Sequence, residues 1–140
     1  MNKNKGFSLV ELIVVVAIMA VLVGILAPAY LSYVEKTRRG TDEDMAEEVR
    51  HTIEIAAAEI CVYDEICNGA QFQFANTNGI ASKCSSYTNL KNSVEDVYSS
   101  KTFDIKSKFY KSKTYTVTVA PASSSAAGTG AALTVTGAWN

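Results

Sequence analysis

Histidine is almost missing from this chain of 140 residues: His51 stands alone, and cysteine stops at three, Cys61, Cys67 and Cys84. One imidazole and three thiols at these spacings match no structural or catalytic zinc set. His51 lies among Glu47, Glu48 and Arg50, on the expected exposed side of a helix, so no nucleophile, base and acid can be grouped around it. The phosphate-cradling glycine loop is absent, and Ser123 to Ser125 have no motif about them. The acidic run Asp42–Glu48 has no loop to wrap a cation, and helical carboxylates make a poor calcium cage. An enzyme is therefore not expected, nor a cofactor, nor a metal. A basic surplus is lacking too: 13 Lys and Arg against 14 Asp and Glu give a formal charge of −1. Nucleic-acid modules show a basic surplus on one face, so no direct nucleic-acid partner is expected. No internal repeat is visible.

What the chain does have is an uneven start. Met1 to Gly6 is short, polar and basic, carrying Lys3 and Lys5. An apolar run then extends from Phe7 to Leu31, about 25 residues, enough to cross ~30 Å of hydrocarbon as a helix. A secretory signal has an apolar core of only ~7–15 residues and an Ala-x-Ala-like cut downstream, so the run is too long for one. A plain single-span anchor explains the length. It does not explain Glu11, a lone carboxylate inside the run, whose burial in hydrocarbon costs about 2.5–3.5 kcal/mol on insertion scales.

The segment Gly6-Phe7-Ser8-Leu9-Val10-Glu11-Leu12 resembles the type III signal of prepilins, the precursors of type IV pilins and pseudopilins. The resemblance runs through the apolar stretch to Pro28, where many pilins also carry a proline. It implies cleavage between Gly6 and Phe7 by a prepilin peptidase and N-methylation of Phe7. It also implies assembly through Glu11 of one subunit and the Phe7 amine of the next. The implied partners are the membrane before assembly, an inner-membrane assembly platform and further copies of the same chain in a homopolymeric filament. Loss of residues 1–6 removes Lys3 and Lys5, leaving 11 basic residues against 14 acidic and a charge of −3. By the positive-inside rule the two lysines stay cytoplasmic and residues 32–140 lie outside. The implied organisation is a leader at 1–6, a transmembrane and polymerisation helix at 7–31, and a head at 32–140. Adhesion, motility or DNA uptake are the uses such filaments serve. The alternatives are a pseudopilin of a type II secretion or competence system, and a minor pilin or tip adhesin acting as a binding module. Major secretion pseudopilins usually carry a calcium-binding C-terminal loop, and no acidic cluster stands near Leu133–Asn140 to make one, which disfavours that alternative.

Pro28 cannot donate to the Gly24 carbonyl, and glycine has the poorest helix propensity short of proline, so 24–28 is the expected weak segment of the helix. Ala20 and Gly24, four apart, would let helices approach closely. Beyond Tyr30 the pattern turns amphipathic: Met45, Val49, Ile53, Ala56 and Ile60 share one helical face, with Glu35, Arg39, Glu43, Glu47 and Arg50 opposite. Glu35–Arg39 and Arg39–Glu43 have the spacing of helix-surface ion pairs. One helix is expected from Phe7 to about Ile60, roughly 80 Å long, bending near Gly40, where Thr41 and Asp44 have capping-box spacing.

The remainder reads as a small head. Asn68-Gly69 and Asn76 to Gly79 are turn signals, Gln71–Phe74 alternates like a strand, and Leu90, Val94, Val97 and Tyr98 fit one face of a short helix. Strand patterns cover Thr102–Ile105, Tyr115–Ala120 and Ala132–Thr136, the last two joined by a small-residue loop, Pro121–Gly130. The expected class is α+β: a long N-terminal helix whose face near Val49–Ile60 packs on an antiparallel sheet of three or four strands. An odd number of cysteines leaves at least one thiol unpaired within the chain. Cys61 with Cys67, or Cys67 with Cys84, would bridge in an oxidising compartment; three reduced thiols fit equally. With no cysteine after Cys84, the C-terminal disulfide loop of many Gram-negative pilins is absent.

Overall fold

The computed structural model describes residues 7–76, 78–99, 101–121 and 133–140. In chain order the elements are helix α1 (Leu9–Ala56), helix α2 (Ile60–Ile66), strand β1 (Ala70–Phe74), strand β2 (Asn78–Gly79), a 3-10 turn (Ala81–Cys84), helix α3 (Thr88–Tyr98), and strands β3 (Thr102–Phe103), β4 (Tyr115–Pro121) and β5 (Leu133–Trp139). The class is α+β, as expected. The chain divides into two compact units, 1–37 and 38–140.

In the first unit every residue from Phe7 to Tyr33 is exposed. Leu12, Val14, Val16, Ile18, Val21 and Leu22 lie on all sides of the helix, so no single face is shielded by the protein. Such a helix needs lipid or other helices around it. It is long and apolar enough to cross a membrane. Helical structure continues through Pro28, and Ser32 Oγ donates to the Pro28 carbonyl at 2.9 Å. It continues through Gly40 as well, so Thr41 and Asp44 start no new helix.

The second unit is built on the amphipathic end of α1. Ala46, Val49, Ile53 and Ala56 are buried there, and Met45 packs at the edge of the same core. Ile60 departs from the expected face: it is 84% exposed. The cause is phase. α1 stops at Ala56 and α2 restarts at Ile60, so the buried residues of α2 are Val62 and Ile66 instead. Gly69, at φ +98°, then turns the chain into β1, a conformation that favours glycine.

The main sheet has three antiparallel strands in the order β1-β4-β5, with Phe72 opposite Val117 and Val117 opposite Gly137. Tyr115, Val117 and Val119 of β4 are buried, and β1 alternates buried and exposed residues along its length. The expected strand Thr102–Ile105 is shorter, Thr102–Phe103, and pairs with Asn78–Gly79 in a separate two-stranded ribbon. The expected last strand runs further, from Leu133 to Trp139, because Asn140 and Thr114 exchange backbone hydrogen bonds of 2.9 and 3.0 Å beyond it. The loop expected at Pro121–Gly130 lies, after Pro121, outside the described residues. In α3, Leu90, Val94 and Tyr98 are buried, whereas Val97 is 53% exposed: three inward positions already fill the face.

Aromatic rings fill one end of the core. Trp139 stacks on Tyr110 at 4.3 Å between centroids and leans on Tyr115 at 5.1 Å; Phe103 joins Phe74 at 5.8 Å. Such ring pairs add about 0.5–1.5 kcal/mol each beyond their buried area. The Tyr115 hydroxyl is buried without a hydrogen bond, and burial pushes that phenol above its ordinary value.

Candidate functional site

The N-terminal turn of α1 is the first candidate site. Gly6 lies outside the described residues; Phe7 is 88% exposed. Ser8 and Glu11 have the spacing of a capping box, in which the third helical residue reaches back to the cap's own N–H. The structure shows that reach: the Ser8 backbone N–H donates to Glu11 Oε2 at 3.0 Å. Ser8-Leu9-Val10-Glu11 carried this signal in plain sight, and reading Glu11 for its charge alone missed it. The Glu11 carboxylate is thus turned towards the chain's N-terminal end, one residue from the Phe7 nitrogen. Negative charge in that position also complements the partial positive charge of a helix N-terminus. Gly24 and Pro28 lie further along the same helix, and a β-carbon on Gly24 would meet nothing within 4 Å.

The three cysteines are free. Cys61 lies in the first turn of α2 and Cys67 caps its other end. Six helical steps at 1.5 Å separate their Cα atoms by about 9 Å, beyond the reach of a disulfide while α2 is formed. Cys61 is exposed and Cys67 half-buried; Cys84 is buried, and burial pushes its thiol up to about 11.

A second constellation escaped sequence reasoning. Asp42 is wholly buried. Its Oδ1 accepts the Lys106 N–H at 2.9 Å and its Oδ2 the Ser107 N–H at 2.8 Å. One turn away on the loop, Tyr110 OH donates to Glu43 Oε1 at 2.6 Å, which raises the Tyr110 phenol above its ordinary value. Asn76 Oδ1 accepts the Ile105 N–H at 3.0 Å. Residues 105–110 have little regular structure, and these side chains satisfy backbone groups that no strand could. The same loop carries Phe109, with the Arg39 guanidinium 4.4 Å and the Lys113 ammonium 4.9 Å from its ring centre. A similar device sits on α3, whose N-terminal N–H groups at Asn89 and Leu90 donate to the Glu65 carboxylate of α2. No signal in the sequence singles out Asp42 among its acidic neighbours, because its partners lie more than sixty residues away.

The predicted outward position of His51 agrees with the structure: its side chain is 66% exposed, 3.6 Å from Glu54. Arg50 bridges Glu47 at 2.8 Å and Glu54 at 2.9 Å. Among the described residues no group of three His, Cys, Asp or Glu converges as a metal cage.

Comparison with known proteins bears on the first site. Residues 1–27 match the family model of the prokaryotic N-terminal methylation motif. The chain is 47% identical over 38 residues to fimbrial protein Q and, equally, to the type IV major alpha-pilin, both of Moraxella bovis; each match covers 27% of this chain and 24% of the relative. It is 28% identical over 78 residues to prepilin peptidase-dependent protein A of Clostridium perfringens, covering 56% of this chain and 54% of the relative. The chain therefore spans about a quarter of the length of the Moraxella proteins and about half of the Clostridium one. No solved structure matches. Residues 1–27 thus carry a prokaryotic N-terminal methylation motif, and the chain is similar over part of its length to proteins named as fimbrial protein, type IV pilin and prepilin peptidase-dependent protein. The motif and the apolar helix are consistent with membrane anchoring and a surface filament.

Proposed function

We propose that this chain is the building block of an extracellular type IV pilin-like filament. It is made as a membrane precursor, cut between Gly6 and Phe7 by a prepilin peptidase, methylated on Phe7 and drawn from the cytoplasmic membrane into a homopolymer by an assembly platform. Residues 1–6 are the leader, 7–31 the membrane and polymerisation segment, and 32–140 the head.

One observation carries the reading: a single carboxylate, Glu11, in a stretch of α1 with no other charge before Glu35, directed back towards the residue that becomes the N-terminus. Cleavage creates an α-amine at Phe7, and methylation keeps its charge. Within the subunit, Glu11 already serves Ser8. In an array of such helices the Phe7 amine of a neighbour reaches the same carboxylate. Coulomb attraction there is stronger than in water, while the cost of desolvation makes a correctly placed pair far better than a misplaced one. Charge then sets the register, and contact between the apolar helices, uncovered in the single chain, holds the polymer. Gly24 and Pro28 give this helix a yielding segment as it leaves the bilayer.

Intact mass of the chain recovered from cells, with electron microscopy of sheared surface material, tests the proposal. The expected result is a chain beginning at Phe7, one methyl heavier than its sequence, in filaments built of it. A chain that keeps residues 1–6 and stays dispersed would overturn it.

A further inference from the structure

The head is electrically divided. Residues 42–65 hold nine acids against one arginine, Arg50, while residues 101–113 hold five lysines against one acid, Asp104. Much of the acidic stretch lies on α1 itself, and folding brings the lysine stretch against it. Asp42 and Glu43 clamp the lysine-bearing loop to one flank, where Lys106 and Lys111 are exposed and Arg39 and Lys113 share the Phe109 ring.

Asp44 and Glu48 are directed elsewhere. They rim an open groove of about 330 Å³ whose floor is apolar, formed by Met45, Ile80 and Tyr98. Lys101 lies along the groove with its ammonium 5.8 Å from the Tyr98 ring centre. Two carboxylates and one ammonium leave the groove one negative charge in excess. Its chemistry suits a second cation on an aliphatic stem, methylenes against the floor and ammonium at the rim.

The two features face away from each other. Arg39 and Glu48 are nine residues apart, which at 3.6 residues per turn is about 180° round the helix. Complementary patches on opposite flanks of one subunit cannot meet within it. Between identical subunits they join head to tail, the heterologous contact that generates an open filament.

We infer that the groove rimmed by Asp44 and Glu48 receives lysine side chains from the Lys106–Lys113 loop of a second copy of this chain. This contact rests on the filament reading above and gives it a heterologous contact between the heads of neighbouring subunits. The apolar helices supply adhesion, and the charged flanks reject arrangements that set like charge on like.

Charge exchange in the full-length chain tests it. Lys106→Glu with Lys111→Glu reverses one flank, and Asp44→Lys with Glu48→Lys reverses the other. Each pair alone is expected to lower filament yield about ten-fold or more, and the four substitutions together to restore it, since attraction is regained with the signs exchanged. Membrane amounts and N-terminal processing, read by intact mass, stay as in the wild type. Wild-type yields from either pair, or no recovery in the fourfold variant, overturn the inference. If a reversed head fails to fold, shown by loss of its cooperative thermal transition, the neutral variants Lys106→Gln/Lys111→Gln and Asp44→Asn/Glu48→Gln take its place; each is expected to lower yield partially, and full yield from both overturns the inference. A wild-type chain that forms no filament defeats the underlying reading, whereas wild-type filaments indifferent to these charges defeat only the contact proposed here.

Discussion

Asp42 and Ser107, sixty-five positions apart, are joined by a 2.8 Å hydrogen bond in the buried interior, from backbone N–H to carboxylate. With its twin to Lys106, this bond fastens an irregular loop to the helix that organises the head. Asp42→Ala would leave both N–H groups buried and unpaired. Hydrogen bonds to charged groups contribute about 1.5–3 kcal/mol each, so a loss of at least ~2 kcal/mol is expected. Asp42→Asn keeps one acceptor oxygen and should lose less. Chemical denaturation of the three proteins checks the order; equal midpoints for wild type and Asp42→Ala would refute it.

A second expectation concerns β5. The Tyr115 ring lies across Gly137, and its hydroxyl occupies the space that a β-carbon there would need. Gly137→Ala should displace the ring and cost about 1–3 kcal/mol, as overpacking of a core does. Because the hydroxyl has no hydrogen bond, Tyr115→Phe alone should be close to neutral, and it should soften the effect of Gly137→Ala. Thermal unfolding of the two single variants and the double variant reads this out; additive losses would count against it.

Alkali should weaken the head. Burial pushes the Cys84 thiol up from 9.0 to about 11, and the bond to Glu43 likewise raises Tyr110. A folded value above the unfolded one means that the contribution is complete below the unfolded value and disappears as pH rises through the folded one. For Cys84 that window runs from about 9 to 11. The melting temperature should fall across it. At pH 8 a thiol reagent should modify exposed Cys61 at once and Cys84 only when the head unfolds. Equal labelling of the two would disprove the burial argument.

Glu11 separates two roles by substitution. Glu11→Gln keeps the capping reach to Ser8 but removes the charge, whereas Glu11→Ala removes both and costs the helix end about 0.5–2 kcal/mol. Both variants should insert in the membrane. If charge sets register, both should fail to build normal filaments. Normal filaments from Glu11→Gln would leave Glu11 a helix cap and nothing more.

Backbone exchange should locate the yielding part of α1. Pro28 leaves the Gly24 carbonyl without its helical donor, so amides within residues 24–28 should exchange faster than those of Leu12–Val21 in detergent micelles. Uniform protection from 12 to 28 would remove flexibility from the account of assembly.

The parts that local pattern could reveal were legible beforehand. The apolar run, the Val49-Ile53-Ala56 face, and the alternation in Gln71–Phe74 and Tyr115–Val119 each declare themselves within a few residues, because burial on a helix or strand repeats at short intervals. Ile60 was misplaced because a three-residue interruption after Ala56 shifts the helical phase. Thr102–Ile105 was overextended because Ile105 and its successors are taken by Asn76 and Asp42, partners that no window of sequence contains. The role proposed for Phe7 and Glu11 came from resemblance, not from local pattern. The clamp and the groove arise only when distant segments meet.

Trp139, the chain's single tryptophan, sits half-buried against Tyr110, the residue whose hydroxyl is tied to Glu43. Its fluorescence is therefore a private channel to the head. Emission should respond when the lysine loop lifts from α1, and events confined to residues 7–37 should leave it unchanged.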